Sequence, residues 1–240
     1  MREEPRATLL AVADGVAGQA GGEIASAAAV EALAQKFFSA PRNTLPADAL
    51  GAAMRETNDA VLGAAGTSGQ AGAASTLVAA VVLKSEAVIA NLGDSRAYLI
   101  RDGKTRLLTS DHSGPAPSSV TRFVGDPRGA QPDVFVEELE PGDRLLLCSD
   151  GLTRHVGDDE IASLAAGRDL ERSADALVAR ARERGGEDNI TVVLHATPGR
   201  MGVTDFRGSL VSAILAMLAV VVVALVIVAL IVASGLTTGR

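Results

Sequence analysis

Four aspartates stand where the chain enters or leaves an apolar run: Asp14 after TLLAVA, Asp94 after AVIANLG, Asp150 after RLLLCS, and Asp188 just before ITVVLHA. Short apolar runs bounded by turn residues read as buried strands, so each carboxylate is expected at the rim of a sheet. Asp14 and Asp150 are followed directly by Gly15 and Gly151, and glycine lets the backbone turn tightly and approach a ligand. Any one of the four, taken alone, reads most simply as a turn or cap residue. Brought together at one sheet edge they repel, and their burial is costly unless cations neutralise them. All-oxygen donors select hard ions such as Mg²⁺ or Mn²⁺, and no His/Cys cluster falls at zinc spacing. Paired ions of that kind activate water and offset charge on a phosphoryl oxygen. The residues themselves therefore point to an acid-rimmed metal site suited to hydrolysis.

The elements that must position these groups can be read along the chain. Thr8 to Ala13 is expected to be a buried strand, followed by the Gly-rich turn GVAGQAGG. From Glu23 to Phe38 the spacing turns helical, with Ile24, Ala28, Leu33 and Phe37 able to share a face. A second helix is expected from Ala47 to about Leu62, and GAAGTSGQAGAA after it reads as a loop. Two β-branched runs, STLVAAVVL and AVIANLG, lead to RAYLIR and KTRLLTS, which Asp102-Gly103 joins as a two-residue hairpin turn. Ser113 to Ser119 is Pro/Ser-rich loop, Val134 to Leu139 an exposed strand, and Pro141-Gly142-Asp143 a turn before RLLLCS. Helices over 158–165 and 170–184 precede a last strand, Ile190 to Ala196. Hairpins and helical pairs without regular βαβ alternation give an α+β class.

The chain has 240 residues and a formal net charge of −7, with no basic run, which argues against nucleic acid as a partner. Its lone cysteine, Cys148, sits in an apolar run and reads as a small buried hydrophobe. From Leu210 to Ala233 the sequence carries no charge, and a bilayer core of ~30 Å needs roughly 20 apolar residues in a helix. The expected organisation is a soluble domain over 1–198, a linker over 199–208, a transmembrane helix over 209–234 and a short tail, 235–240. Arg200 and Arg207 before the run, against Arg240 after it, favour a cytoplasmic domain. No signal peptide opens the sequence. The expectation is a single-pass protein of the cell membrane with its large domain inside.

At the same positions the sequence resembles the metal-dependent, PP2C-like serine/threonine phosphatases, above all their bacterial branch. The matching blocks are VADGVAGQAGGEIAS (Val12–Ser26), ASTLVAAVV (Ala74–Val82), NLGDSRAYLIRDGKTRLLTSDHS (Asn91–Ser113), RLLLCSDGLT (Arg144–Thr153) and GGEDNITVV (Gly185–Val193). The resemblance implies an antiparallel β-sandwich flanked by helical pairs, with two Mn²⁺ or Mg²⁺ ions at one end. It implies that Asp14 bridges the ions, that the Gly15 carbonyl ligates one, and that Asp150 and Asp188 hold the other. Asp94 would bind a third, weaker ion together with Asp150, and Asn189 would support water or substrate. The implied activity is hydrolysis of phosphoserine and phosphothreonine in proteins by metal-activated water at the inner membrane face. A phosphoprotein is then the substrate and an opposing serine/threonine kinase a natural partner.

Departures from the family pattern bear on that expectation. The family carries an arginine and a Glu-Asp pair ahead of the first block. Arg2, Glu3, Glu4 and Arg6 have a similar composition but lie too close to Asp14 to supply them. Gln19 and Val16 replace a usual histidine and methionine, and the flap is shortened before Thr121–Gly125. These features keep open a second reading, a pseudophosphatase that binds a phosphoprotein or partner with weak turnover or none. His112, His155, His195, Arg96 and Arg122 read most simply as turn, surface or ion-pairing residues, and Asp158-Asp159 as helix N-terminal charges.

Overall fold

The computed structural model describes residues 7–16, 21–116 and 119–199. The chain forms two units, Met1–Pro198 and Gly199–Arg240, and the fold described is that of the first. The transmembrane helix expected over 209–234 lies outside the described residues. Among them, no helix is long and apolar enough to cross a membrane.

Thirteen elements follow one another in the described residues: β1 (Thr8–Val12), α1 (Gly22–Ser39), α2 (Pro46–Thr67), β2 (Leu77–Val82), β3 (Glu86–Leu92), β4 (Arg96–Arg101), β5 (Lys104–Leu107), β6 (Asp133–Glu138), β7 (Arg144–Cys148), α3 (Asp150–Thr153), α4 (Asp158–Ala165), α5 (Leu170–Glu183) and β8 (Val192–Ala196). They build two four-stranded sheets, ordered β1-β2-β3-β6 and β5-β4-β7-β8. Every pairing is antiparallel.

The strands show why long apolar runs alternate here. In β2, Leu77, Ala79 and Val81 face α1 and α2, whereas Val78, Ala80 and Val82 face the other sheet. β7 divides likewise: Leu145 and Leu147 enter the layer between the sheets, and Leu146 and Cys148 the layer under α4 and α5. A central strand covered on both faces has no polar side to show, so its sequence is continuously apolar. Three apolar layers thus hold four layers of secondary structure, and the α+β sandwich flanked by helical pairs is as expected.

Some elements depart from the sequence reading. β1 is an edge strand and only half-buried, with Val12 its one fully buried residue. α1 buries Ala25, Ala29, Ala32 and Leu33, and the expected Ala28 and Phe37 pack against the same core, but Ile24 is left 36% exposed. Ala25, Ala29 and Leu33 of α1 share one core layer with Leu50, Ala53 and Met54 of α2. α2 runs on through Gly63 and Gly66 to Thr67, where a loop was expected. Buried Val61 and Ala65 anchor that stretch to the core, and tertiary packing overrides weak propensity. The Asp102-Gly103 turn has φ of 51° and 72°, as a two-residue hairpin requires.

Candidate functional site

The four aspartates arrive from both sheets. Asp14 follows β1 in the first, and Asp94 lies in the link from β3 to β4, where the chain crosses between sheets. Asp150 follows β7 and Asp188 precedes β8, neighbours in the second sheet. All four line one small hollow of about 30 Å³ with Gly15, Val16, Thr76, Val120 and Arg154. Asn189 is the exception among the expected site residues. It lines the adjoining open cleft of about 760 Å³, shared with Asp14, Gly15, Gly22, Glu23 and Gln70.

Backbone and hydroxyl groups hold the aspartate-bearing segments in place. The Asp14 amide donates to Thr76 Oγ1 (3.1 Å), and the Asp14 carbonyl accepts from the Thr76 amide (2.8 Å) and the Ser75 hydroxyl (2.9 Å). Thr76 Oγ1 also meets Ser95 Oγ at 2.7 Å, which ties Asp14 to the loop carrying Asp94. On the other sheet, the Ser149 hydroxyl donates to the Asn189 carbonyl (3.0 Å) and accepts from the Thr191 amide (3.0 Å). The Asn189 amide caps Asp188 Oδ1 at 2.8 Å.

The glycines beside the aspartates also permit close approach within the chain itself. A Cβ on Gly151 would fall 2.4 Å from the Asn189 carbonyl oxygen, and one on Gly15 would fall 2.6 Å from the Gly22 backbone. Each lets a second segment of the same chain close onto the site. Asp150 likewise opens the short helix α3 rather than simply ending a strand.

Electrostatically the hollow is strained. Burial, then Asp150, Asp188 and Asp94, push the Asp14 carboxyl up to about 7. Asp94 is raised by burial and then by Asp150. Asp150 is raised by burial and by Asp188, although Arg154 opposes the shift. Arg154, which the sequence reading missed, forms ion pairs with Asp150 and, at 3.0 Å, with Asp188. As the side chains stand, no group of three or more His, Cys, Asp or Glu among the described residues is gathered closely enough to hold an ion. The donor chemistry nevertheless fits a hard divalent cation: all oxygen, mutually repelling and partly buried.

A family model described as protein phosphatase 2C matches residues 1–195. The chain belongs to the protein phosphatase 2C family. A serine/threonine phosphatase stp of Listeria monocytogenes is 35% identical over 210 residues, covering 78% of this chain and 83% of the relative. Among solved structures, the serine/threonine phosphatase Stp1 from Staphylococcus aureus superposes with a TM-score of 0.73 at 31% identity, covering 80% of this chain and 84% of that one. The catalytic domain of the phosphatase PstP, in complex with two manganese ions, gives a TM-score of 0.70 at 31% identity over 82% of this chain and 94% of that one.

Within this phosphatase 2C fold the residues read as structural take structural places. Buried His112 accepts from the Gly93 amide at Nδ1 (3.1 Å) and meets Asp133 at Nε2 (3.0 Å), which fastens the loop beside Asp94. Arg96 grips Asp111, and Arg122 grips Asp133. Cys148 is buried, and desolvation pushes its thiol up to about 12. The sequence reading also missed Ser75, Thr76, Ser95 and Ser149. The one available signal was their adjacency, one or two residues away, to Asp14's partner strand, Asp94 and Asp150.

Proposed function

We propose that this chain is a metal-dependent phosphatase that removes phosphate from phosphoserine and phosphothreonine in proteins. The observation that carries the reading is the convergence of Asp14, Asp94, Asp150 and Asp188 from two sheets into one hollow, where burial and mutual repulsion raise three of them. A fold gains nothing by crowding carboxylates unless a cation joins them. The names of its relatives and the manganese bound by PstP support the same reading.

Asp14, the Gly15 carbonyl, Asp150 and Asp188 would hold two Mn²⁺ or Mg²⁺ ions, and Asp94 with Asp150 a third. Metal bound there lowers the pKa of water and offsets charge on the phosphoryl oxygens. The protein's own residues do the rest. Thr76 fixes the backbone at Asp14, and Ser149 fixes the backbone around Asn189, next to Asp188. Asn189, which lines the wide cleft beside Asp14, would hydrogen-bond water or the phosphate. In the reaction, water's oxygen bonds to phosphorus, the ester P–O bond breaks, and the released serine or threonine oxygen takes up a proton. A kinase of matching specificity must supply the substrate.

The uncharged run over 209–234 supports attachment to the cell membrane with the phosphatase domain on the cytoplasmic face. Alkaline extraction of membranes tests this: the full-length chain stays in the pellet, and release into the supernatant would remove the anchor. The activity is tested by a Mn²⁺ titration of phosphopeptide hydrolysis with the full-length protein in detergent, with Asp150→Asn as control. Turnover that requires the metal and disappears in the variant is expected. A folded protein without turnover would make the chain a phosphoprotein-binding relative.

A further inference from the structure

Among the described residues, Arg154 is the one cation lining the four-aspartate hollow. Its two terminal nitrogens divide between Asp150 Oδ2 and Asp188 Oδ2, and so engage a carboxylate from each side of the β7–β8 pair. Its backbone is fixed: it caps α3, and its amide donates to the Asp150 carbonyl at 2.9 Å. Its side chain is 42% exposed, whereas that of Asp150 is only 17% exposed. The anchor is rigid, the acceptor is sunk in the site, and the guanidinium reaches in from solvent on a long flexible stem. Arg154 also favours the charged forms of Asp14, Asp94 and Asp150. It thus performs, with a single charge, part of the task that divalent ions would perform.

We propose that Arg154 is a built-in counter-ion that competes with metal for Asp150 and Asp188, so that it sets the metal concentration at which the site loads. The proposal rests on the metal reading of the site given above. A guanidinium binds carboxylate oxygens through N–H groups at about 2.7–2.9 Å, whereas Mg²⁺ requires the same oxygens at about 2.0–2.1 Å. One oxygen lone pair cannot serve both, and a divalent ion repels the guanidinium beside it. Loading therefore displaces Arg154 toward solvent. In return, the metal-free protein is spared the full repulsion of four uncompensated carboxylates.

The test is direct Mn²⁺ binding, by calorimetry and by the EPR signal of free Mn²⁺, on the full-length protein in detergent micelles. Wild type is compared with Arg154→Ala, Arg154→Gln and Arg154→Lys, and each is also melted in EDTA and in excess Mn²⁺. Partly exposed ion pairs are modest, so loss of both is expected to tighten Mn²⁺ binding by roughly three- to thirtyfold in the Ala and Gln variants. Lys, which keeps the charge but loses the fork, should fall between. The metal-free melting temperature of the Ala and Gln variants should drop, and the rise on adding Mn²⁺ should grow. Gln preserves much of the stem should Ala fail to fold. Equal or weaker Mn²⁺ binding by the folded variants would overturn the proposal and leave the metal site standing. Absence of Mn²⁺ binding in wild type and variants alike would overturn the metal reading and this proposal together.

Discussion

Asp143 and Asp14 are both aspartates adjoining strands in the same small sandwich, yet their surroundings have opposite character. At Asp143, burial works to raise the carboxyl, but the hydrogen bonds from Arg101 and the Glu140 amide outweigh it and hold it below the usual carboxylate range. Arg101 reaches it through Nε at 2.9 Å and a terminal nitrogen at 2.6 Å, and the Glu140 amide donates at 2.6 Å. Thr197 closes the corner with bonds to the Glu140 and Asp143 carbonyls. Every acceptor is matched, and the charge is part of the scaffold. At Asp14 the neighbours are other carboxylates, and its charge is held at a cost. A buried carboxylate that is fully partnered is architecture. One surrounded by its own kind is waiting for a ligand.

That contrast can be broken from either end. Asp150→Asn should lower metal-dependent turnover by roughly 10²–10³-fold, because a carboxylate proposed to hold the ions is lost and with it part of the charge stabilisation they would supply. Circular dichroism should show the fold unchanged. Asp143→Ala should do the reverse. Arg101 still reaches solvent and Glu140, so the loss is that of the buried acceptor for the Glu140 amide, about 1–3 kcal/mol, or roughly 2–12 °C in melting temperature for a domain of this size. Mn²⁺ affinity should stay as it was, and a change in it would merge the two regions.

A smaller effect is expected with pH. The folded-state pKa of Asp14 lies above its unfolded value, so the folded protein binds the extra proton between pH about 4 and about 7. Stability of the metal-free protein from this group is therefore greatest below pH 4 and is lost as pH rises through 7. Melting scans in EDTA should show a decline of a few degrees over that window, flattened in Asp14→Asn. Smallest of all, Thr76→Val should cost about 1 kcal/mol of stability. It should also weaken Mn²⁺ binding about tenfold, because the hydroxyl ties the backbone of Asp14 to Ser95, the neighbour of Asp94. Calorimetry on the variant would detect either.

Much of this was legible in the sequence, for physical reasons that can be named. Strands buried on both faces must be apolar throughout, so β2, β3 and β7 announced themselves. The Asp-Gly hairpin required positive φ, and the aspartates stood out at strand ends. The extent of α2 was hidden because Gly63 and Gly66 argue against helix locally, while Val61 and Ala65 secure it from outside. The inward face of α1 was hidden because alanine carries little pattern beside Ile24. Arg154 could have been found: four residues after Asp150, it lies one helical turn along, but that spacing matters only if α3 forms, and a four-residue helix leaves no periodic trace. The hydroxyls of Thr76 and Ser149 find partners far along the chain, and only the folded register shows it.

The site straddles two sheets, with Asp14 on one and Asp150 and Asp188 on the other, and what separates them is a layer of side chains. Val12, Val78, Ala80 and Ile89 meet Ala97, Leu99, Leu145 and Leu147 in that layer. The sandwich is therefore a caliper whose jaws are the strand ends and whose spacer is the hydrophobic filling. Adding a methyl group to Ala80 or Ala97 thickens the spacer, because a close-packed interior has no slack to absorb it. The separation of the carboxylates, and with it the size of ion they would grip, is thus set by residues outside the hollow.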